Sequence, residues 1–207
     1  SPSIVSSLIG EVGLHYYKVG KILTIMNDAK SMITPYNTIF NNLLSNAHSV
    51  ILLEYNEDKS FFLAPQDALS LLLDIEKIQN RKIISSETFL IVASRIGRDD
   101  QAIISGKISN LIKKEFGAPP HSIIIPGSLH FTESDAVKVV TECLDPPLDN
   151  SANVKSISEQ MIEKYVPMVR EALEEIKPHY ENIKEYEDVL INAKLYIDDA
   201  ENFLKEG

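Results

Sequence analysis

The sequence is poor in the residues that staple or anchor a chain. Of its 207 residues one is cysteine, Cys143, and none is tryptophan. A single thiol makes no intrachain disulfide and no cysteine cage for a metal, and such sparing use suits a reducing, cytoplasmic compartment. No apolar run approaches ~18 residues, so no membrane-spanning helix is expected. The start, Ser1-Pro2-Ser3, lacks the basic stretch of a secretory leader. Positive charge is scarce too. Twenty Lys and Arg against 30 Asp and Glu give a net charge of −10, which disfavours a nucleic-acid backbone as main partner. His15, His48, His121, His130 and His179 are scattered without metal-ligand spacing. No glycine fingerprint of the G-x-G-x-x-G kind occurs.

What is present, over residues 1–143, is an alternation of strand-like and helix-like segments, the mark of an α/β layered sheet flanked by helices. Helices are expected over Ser3–Tyr17, Pro35–Leu44, Pro65–Ile78, Ile108–Phe116 and Ser134–Cys143. In the third, Ala68, Leu71, Leu72 and Ile75 recur at helical spacing. Strands are expected over Lys21–Met26, Ser49–Tyr55, Phe89–Ser94, Gln101–Ser105 and Ser122–Ile125, the most β-branched being buried on both faces of a parallel-stranded layer. Thr132, followed by Glu133, Ser134 and Asp135, can open a helix at its positive end.

Residues 144–153, with Pro146-Pro147 and small polar neighbours, read as a linker. Residues 154–207 change to a purely helical period. Ile183, Tyr186, Leu190, Ala193, Ile197, Ala200 and Leu204 alternate steps of three and four, and Ile157, Met161, Tyr165, Met168, Ala172 and Ile176 make a matching stripe. A hinge at Lys177-Pro178-His179 would fold the two into an all-α antiparallel hairpin, with Pro167 bending or interrupting the first helix. Thirteen Asp and Glu against seven Lys and Arg make the hairpin acidic. Its charge reads either as a solvated face or as a docking arm for a basic partner.

Five stretches occur in the order seen in the diphthine synthase family of tetrapyrrole-methylase-type methyltransferases, and residues 2–135 resemble that family. They are Pro2-Ser3-Ile4, Gly13-Leu14-His15-Tyr16-Tyr17-Lys18-Val19-Gly20-Lys21, Thr34-Pro35-Tyr36-Asn37-Thr38-Ile39, Ser94-Arg95-Ile96-Gly97, and the segment from Gly117 to Glu133 with its Pro126-Gly127-Ser128-Leu129-His130-Phe131 core. The resemblance implies the second of two α/β domains, with S-adenosylmethionine in the cleft between them. The first domain, with its glycine-rich turn and Gly-Asp-Pro loop, has no counterpart here, so the chain is expected to be a half-enzyme or a fragment that needs a separate N-terminal methylase domain. The C-terminal hairpin resembles a small archaeal helical family, which suggests a gene fusion.

The resemblance further implies methyl transfer to the modified histidine of translation elongation factor two, in diphthamide biosynthesis, and a homodimer. It carries over Ser3, Ile4, Leu53, Ile96 and His121 as cofactor contacts. Taken singly, these residues have plainer readings. Ser3 is an N-cap, Leu53 and Ile96 are core residues, and His121 is a strand-end histidine. Ile96 stands where the family more often has a small residue. A second function class stays open: a non-catalytic interaction module in which the hairpin mediates partner binding or self-association.

Overall fold

The computed structural model describes residues 4–56, 58, 60–180 and 184–206, a few side chains in the helices excepted. It divides into two compact units, Ser1–Val154 and Lys155–Gly207.

In chain order the first unit contains α1 (Ile4–Val12), β1 (Leu23–Ile25), α2 (Ile33–Leu44), β2 (Ser49–Leu53), β3 (Tyr55–Asn56), β4 (Phe61–Phe62), α3 (Pro65–Gln79), β5 (Phe89–Ser94), β6 (Ala102–Lys107), α4 (Ile108–Leu111), β7 (His121–Ile125), α5 (Phe131–Val140) and β8 (Glu142–Cys143). Six strands form one mixed sheet in the order β1-β2-β7-β5-β6-β8, and β3 and β4 make a separate ribbon. The parallel layer expected from the alternation is confined to the rims, where β1 pairs with β2 and β6 with β8. The central ladders β2–β7, β7–β5 and β5–β6 are antiparallel. Alternation of element types does not fix strand direction, and the short turn between Ser94 and Ala102 returns the chain as a hairpin.

β5 is buried along its whole length, as a strand covered on both faces must be. Phe89, Ile91 and Ala93 face α1 and α5 in a core with Leu8, Val12, Ile124 and Val137. The opposite face carries α2 and α3, whose Tyr36, Ile39, Leu69 and Leu72 are buried.

Several elements end short of their expected bounds. The first helix stops at Val12 because Gly13 turns left-handed at φ +74, and a Cβ there would lie 2.5 Å from that of Ala136. Tyr16–Lys18 is a separate 3-10 turn. The helix expected to reach Phe116 ends at Leu111. Ile108 and Leu111 are buried, and the chain beyond them turns toward Gly117 at φ +70. α5 starts at Phe131, three residues before Ser134. His130, not Thr132, is its cap, and Glu133 closes the capping box. Its far end peels off at Thr141, so Glu142 and Cys143 join the sheet beside β6.

The expected linker is partly tied down. Asn150 is buried, accepts from the Phe89 N–H at 3.1 Å, and donates to the carbonyls of Phe89 and Pro126. Helix α6 spans Ser151–Tyr180 and α7 spans Lys184–Glu206. α6 continues through Pro167 and through the expected hinge at Lys177-Pro178-His179. Within the second unit the two helices are antiparallel neighbours: Ile162 shares a hollow with Ala200, Lys177 shares one with Leu190, and Arg170 reaches Asp198 and Glu201. The α7 seam follows Leu190, Ala193, Ile197 and Ala200, as expected. On α6 the sheltered positions are Ile162, Val166, Arg170 and Leu173. Ile162, Val166 and Leu173 lie one residue, and Arg170 two, beyond positions of the stripe read from the sequence, whose Tyr165, Met168, Ala172 and Ile176 are exposed.

Candidate functional site

A cavity of about 290 Å³ opens where β1, β2 and β5 end and β7 begins. It is lined by Leu53, Glu54, Tyr55, Phe62, Leu63, Pro120 and His121. Leu53 closes β2, His121 opens β7, and the ribbon of β3 and β4 brings in Tyr55 stacked on Phe62 at 4.5 Å between ring centres. In open α/β sheets ligands usually sit outside the carboxyl ends of the strands, here that of β2. Walls of Leu53, Phe62, Leu63 and Pro120 suit a flat apolar ring. The Glu54 carboxylate, which also accepts from the Asn27 N–H at 2.7 Å, supplies an acceptor beside it.

His121 is half-buried, with Nδ1 3.0 Å from the Ser94 hydroxyl. Burial, helped by the nearby Arg95 guanidinium, pushes its imidazole toward the neutral form, against the pull of the Gly117 carbonyl. The loop leading into it is held by Arg95, a non-glycine residue at φ +55. The Arg95 guanidinium donates to the carbonyls of Asp100, Phe116 and Ala118 and pairs with the Asp100 carboxylate at 3.0 Å. One planar fork thus fixes the chain on both sides of Gly117. The Ser94-Arg95-Ile96-Gly97 motif therefore reaches the cavity through Ser94 and Arg95.

Of the five residues expected to touch a cofactor, Leu53 and His121 line this cavity together. Ile96 does not: it packs half-buried against the α1 side of the core, in a cluster that includes Val5. Ser3 and the side chain of Ile4 lie outside the described residues. Glu54, Tyr55, Phe62 and Leu63 were not anticipated as lining. Only the aromatic pair flanking a short polar turn could have hinted at a ribbon over the strand ends.

A second polar centre sits at the other end of β7. Glu133 is fully buried, and its carboxylate accepts from the backbone N–H groups of His15 and His130, from Lys18 Nζ at 3.0 Å and from His48 Nε2 at 2.9 Å. Burial alone would raise its pKa. The donors outweigh burial and hold it down, from 4.5 to about 2. His48 is buried as well, and burial pushes its pKa below the ordinary 6.5 despite Glu133. Its tautomer is fixed by its partners: Nδ1 accepts from the Gly127 N–H, so Nε2 carries the proton toward Glu133. Lys18 also donates to the Ser128 carbonyl. The Gly13–Lys21 and Pro126–Phe131 segments, which carry most of the family resemblance, meet here. Their shared residues pin two turns to a helix start. The signal for this was a glutamate three residues after a capping position.

This geometry defines a class: a mixed α/β domain with a hollow at one end of its central strands, where β2 finishes and β7 begins. No family model matches the chain. Over 144 residues it is 42% identical to the diphthine synthase of Methanococcus maripaludis (strain C5 / ATCC BAA-1333), a stretch covering 69% of this chain and 56% of that protein. It is 38% identical over 146 residues to the diphthine synthase of Methanocaldococcus jannaschii, with the same shares. The diphthine synthase of Saccharolobus solfataricus is 36% identical over 138 residues, 66% of this chain and 53% of that one. The chain thus spans about half the length of the curated relatives it matches, and over that stretch it is homologous to diphthine synthases.

Solved structures agree on the fold. A diphthine synthase aligns with TM-score 0.60 and 24% identity over 69% of this chain and 53% of its own. A conserved hypothetical protein from Aeropyrum pernix K1 aligns with TM-score 0.62 and 20% identity over 77% and 57%.

Proposed function

We propose that the first unit is one wall of the S-adenosylmethionine pocket of a diphthine-synthase-like methyltransferase, corresponding to the second α/β domain of that family. The acceptor is the modified histidine of translation elongation factor two. The observation that carries this reading is the convergence of Leu53 and His121, two residues far apart in sequence, on a single cavity at the strand ends.

When bound, the cofactor supplies an already activated methyl on a sulfonium. The chain's own residues need only bind, orient and exclude water. Leu53, Phe62, Leu63 and Pro120 present apolar faces for the adenine. The neutral imidazole of His121, steadied by Ser94, offers a donor or acceptor at the ring edge, and Glu54 offers an acceptor for ribose hydroxyls. About 290 Å³ lies at the lower end of the ~300–1,000 Å³ typical of ligand pockets. This wall therefore holds part of the cofactor, and the remainder falls to a segment equivalent to the half of the relatives that lies outside this chain.

Isothermal titration with S-adenosylhomocysteine tests the reading, using the chain alone and mixed with the N-terminal domain of a relative. Weak or no binding is expected alone and clear binding in the mixture, reduced at least ~10-fold by Leu53→Trp. No binding in either arm overturns it.

A further inference from the structure

The helical unit carries an apolar face that its own fold does not use. We propose that this face is a self-association surface, and that a second copy of the hairpin packs against it to complete a four-helix bundle. The proposal is independent of the methyl-transfer reading.

The face exists because the α6 seam lies one or two positions beyond the apolar stripe. Ile162, Val166 and Leu173 turn toward α7, which leaves Tyr165, Met168 and Val169 pointing elsewhere, with Met168 58% exposed. Tyr165 and Val169 join Ala193 and Tyr196 of α7, the last 75% exposed, along a hollow of about 430 Å³ whose lining contains no charged side chain. The hollow on the other side of the seam differs, being lined in part by Arg170, Glu174, Lys177 and Lys194. The hairpin is thus apolar on one side and ionic on the other, which is the design of half a bundle.

Size and charge select the occupant. Among the described residues of this unit, Ile197 alone is a buried hydrophobic residue, while Tyr165, Met168, Val169, Val189 and Tyr196 are exposed. Helix α7 has 23 residues, which at ~1.5 Å each make it about 35 Å long. Two helices abreast at ~10 Å are about 20 Å wide. A face running that whole length would offer roughly 700 Å², close to the ~800 Å² that each partner gives to a stable interface, and the uncharged hollow from Ile162 to Val169 and from Ala193 to Ala200 forms its middle. A second hairpin has the same length, the same two-helix width and the same uncharged surface, and two-fold pairing of one patch with itself is the commonest oligomer geometry. The lining of the hollow contains no Lys or Arg for phosphates, and the unit's acidic excess disfavours anionic surfaces.

Sedimentation velocity of the full chain over a dilution series tests this. A dimer that dissociates on dilution is expected. Val169→Glu or Tyr196→Glu weakens it on the order of tenfold or more, because a carboxylate is placed in an apolar contact. Lys177→Ala, on the opposite side, leaves it unchanged. Added salt tightens it by screening two acidic units. Hydrogen exchange of the unaltered chain guards against variants that merely unfold: protection of α6 and α7 rises with protein concentration. A chain that stays monomeric throughout, a dimer indifferent to both glutamates, or helix protection independent of concentration overturns the proposal.

Discussion

The two ends of β7 are built on opposite principles. At its C-terminal end, Pro126 and Ser128 are locked by Asn150, Asn46 and Lys18, and a fully buried glutamate gathers four donors. At its N-terminal end, His121 looks into a cavity, and only the loop behind it is braced. One strand therefore joins a rigid anchor to an accommodating hollow. The motifs most diagnostic of the family lie mainly at the anchored end. They build a frame, and the residues that line the cavity are commonplace ones set by that frame.

This contrast can be broken by substitution. The largest effect is expected from Glu133→Gln, which leaves Lys18 without its buried partner. A loss of about 3–5 kcal/mol in denaturant unfolding is expected, and a loss under about 1 kcal/mol would erase the distinction between the ends.

Acid should loosen the anchored end in two stages. The buried His48 takes a proton less readily than it does in the unfolded chain, so stability present above about 6.5 falls as pH drops below it. Glu133 is held near 2 against an ordinary 4.5, so its contribution, present above 4.5, is lost as pH falls from there toward 2. Thermal melts across that range should show both limbs, the lower one flattened in Glu133→Gln.

Gly13→Ala should cost about 1–3 kcal/mol, since the new methyl meets Ala136 and the backbone is left-handed. The smallest change is expected at the open end. Tyr55→Ala should shift stability by no more than about 0.5 kcal/mol, while weakening S-adenosylhomocysteine in the mixed titration. A large loss of stability there would mean that the ribbon belongs to the core.

The fold was legible where period and burial agree. β5 runs over the residues expected, and α3 differs by one. Strand direction was not legible, because local sequence carries no record of which neighbour a buried strand pairs with. The anchor was hidden for a related reason: His15, Lys18, His48 and Glu133 are up to 118 residues apart, and of the four only Glu133 stood out, as part of a helix start. The α6 seam was misplaced by one or two steps because several apolar residues stand side by side on that helix, so more than one stripe satisfies the period.

The outermost strands of the main sheet have a further consequence. β1 is three residues long and β8 two, so each rim offers an arriving strand only two or three rungs. Edge-to-edge growth into fibrils gains little from so short a template. Concentrated solutions of the chain should accordingly stay free of amyloid-type order.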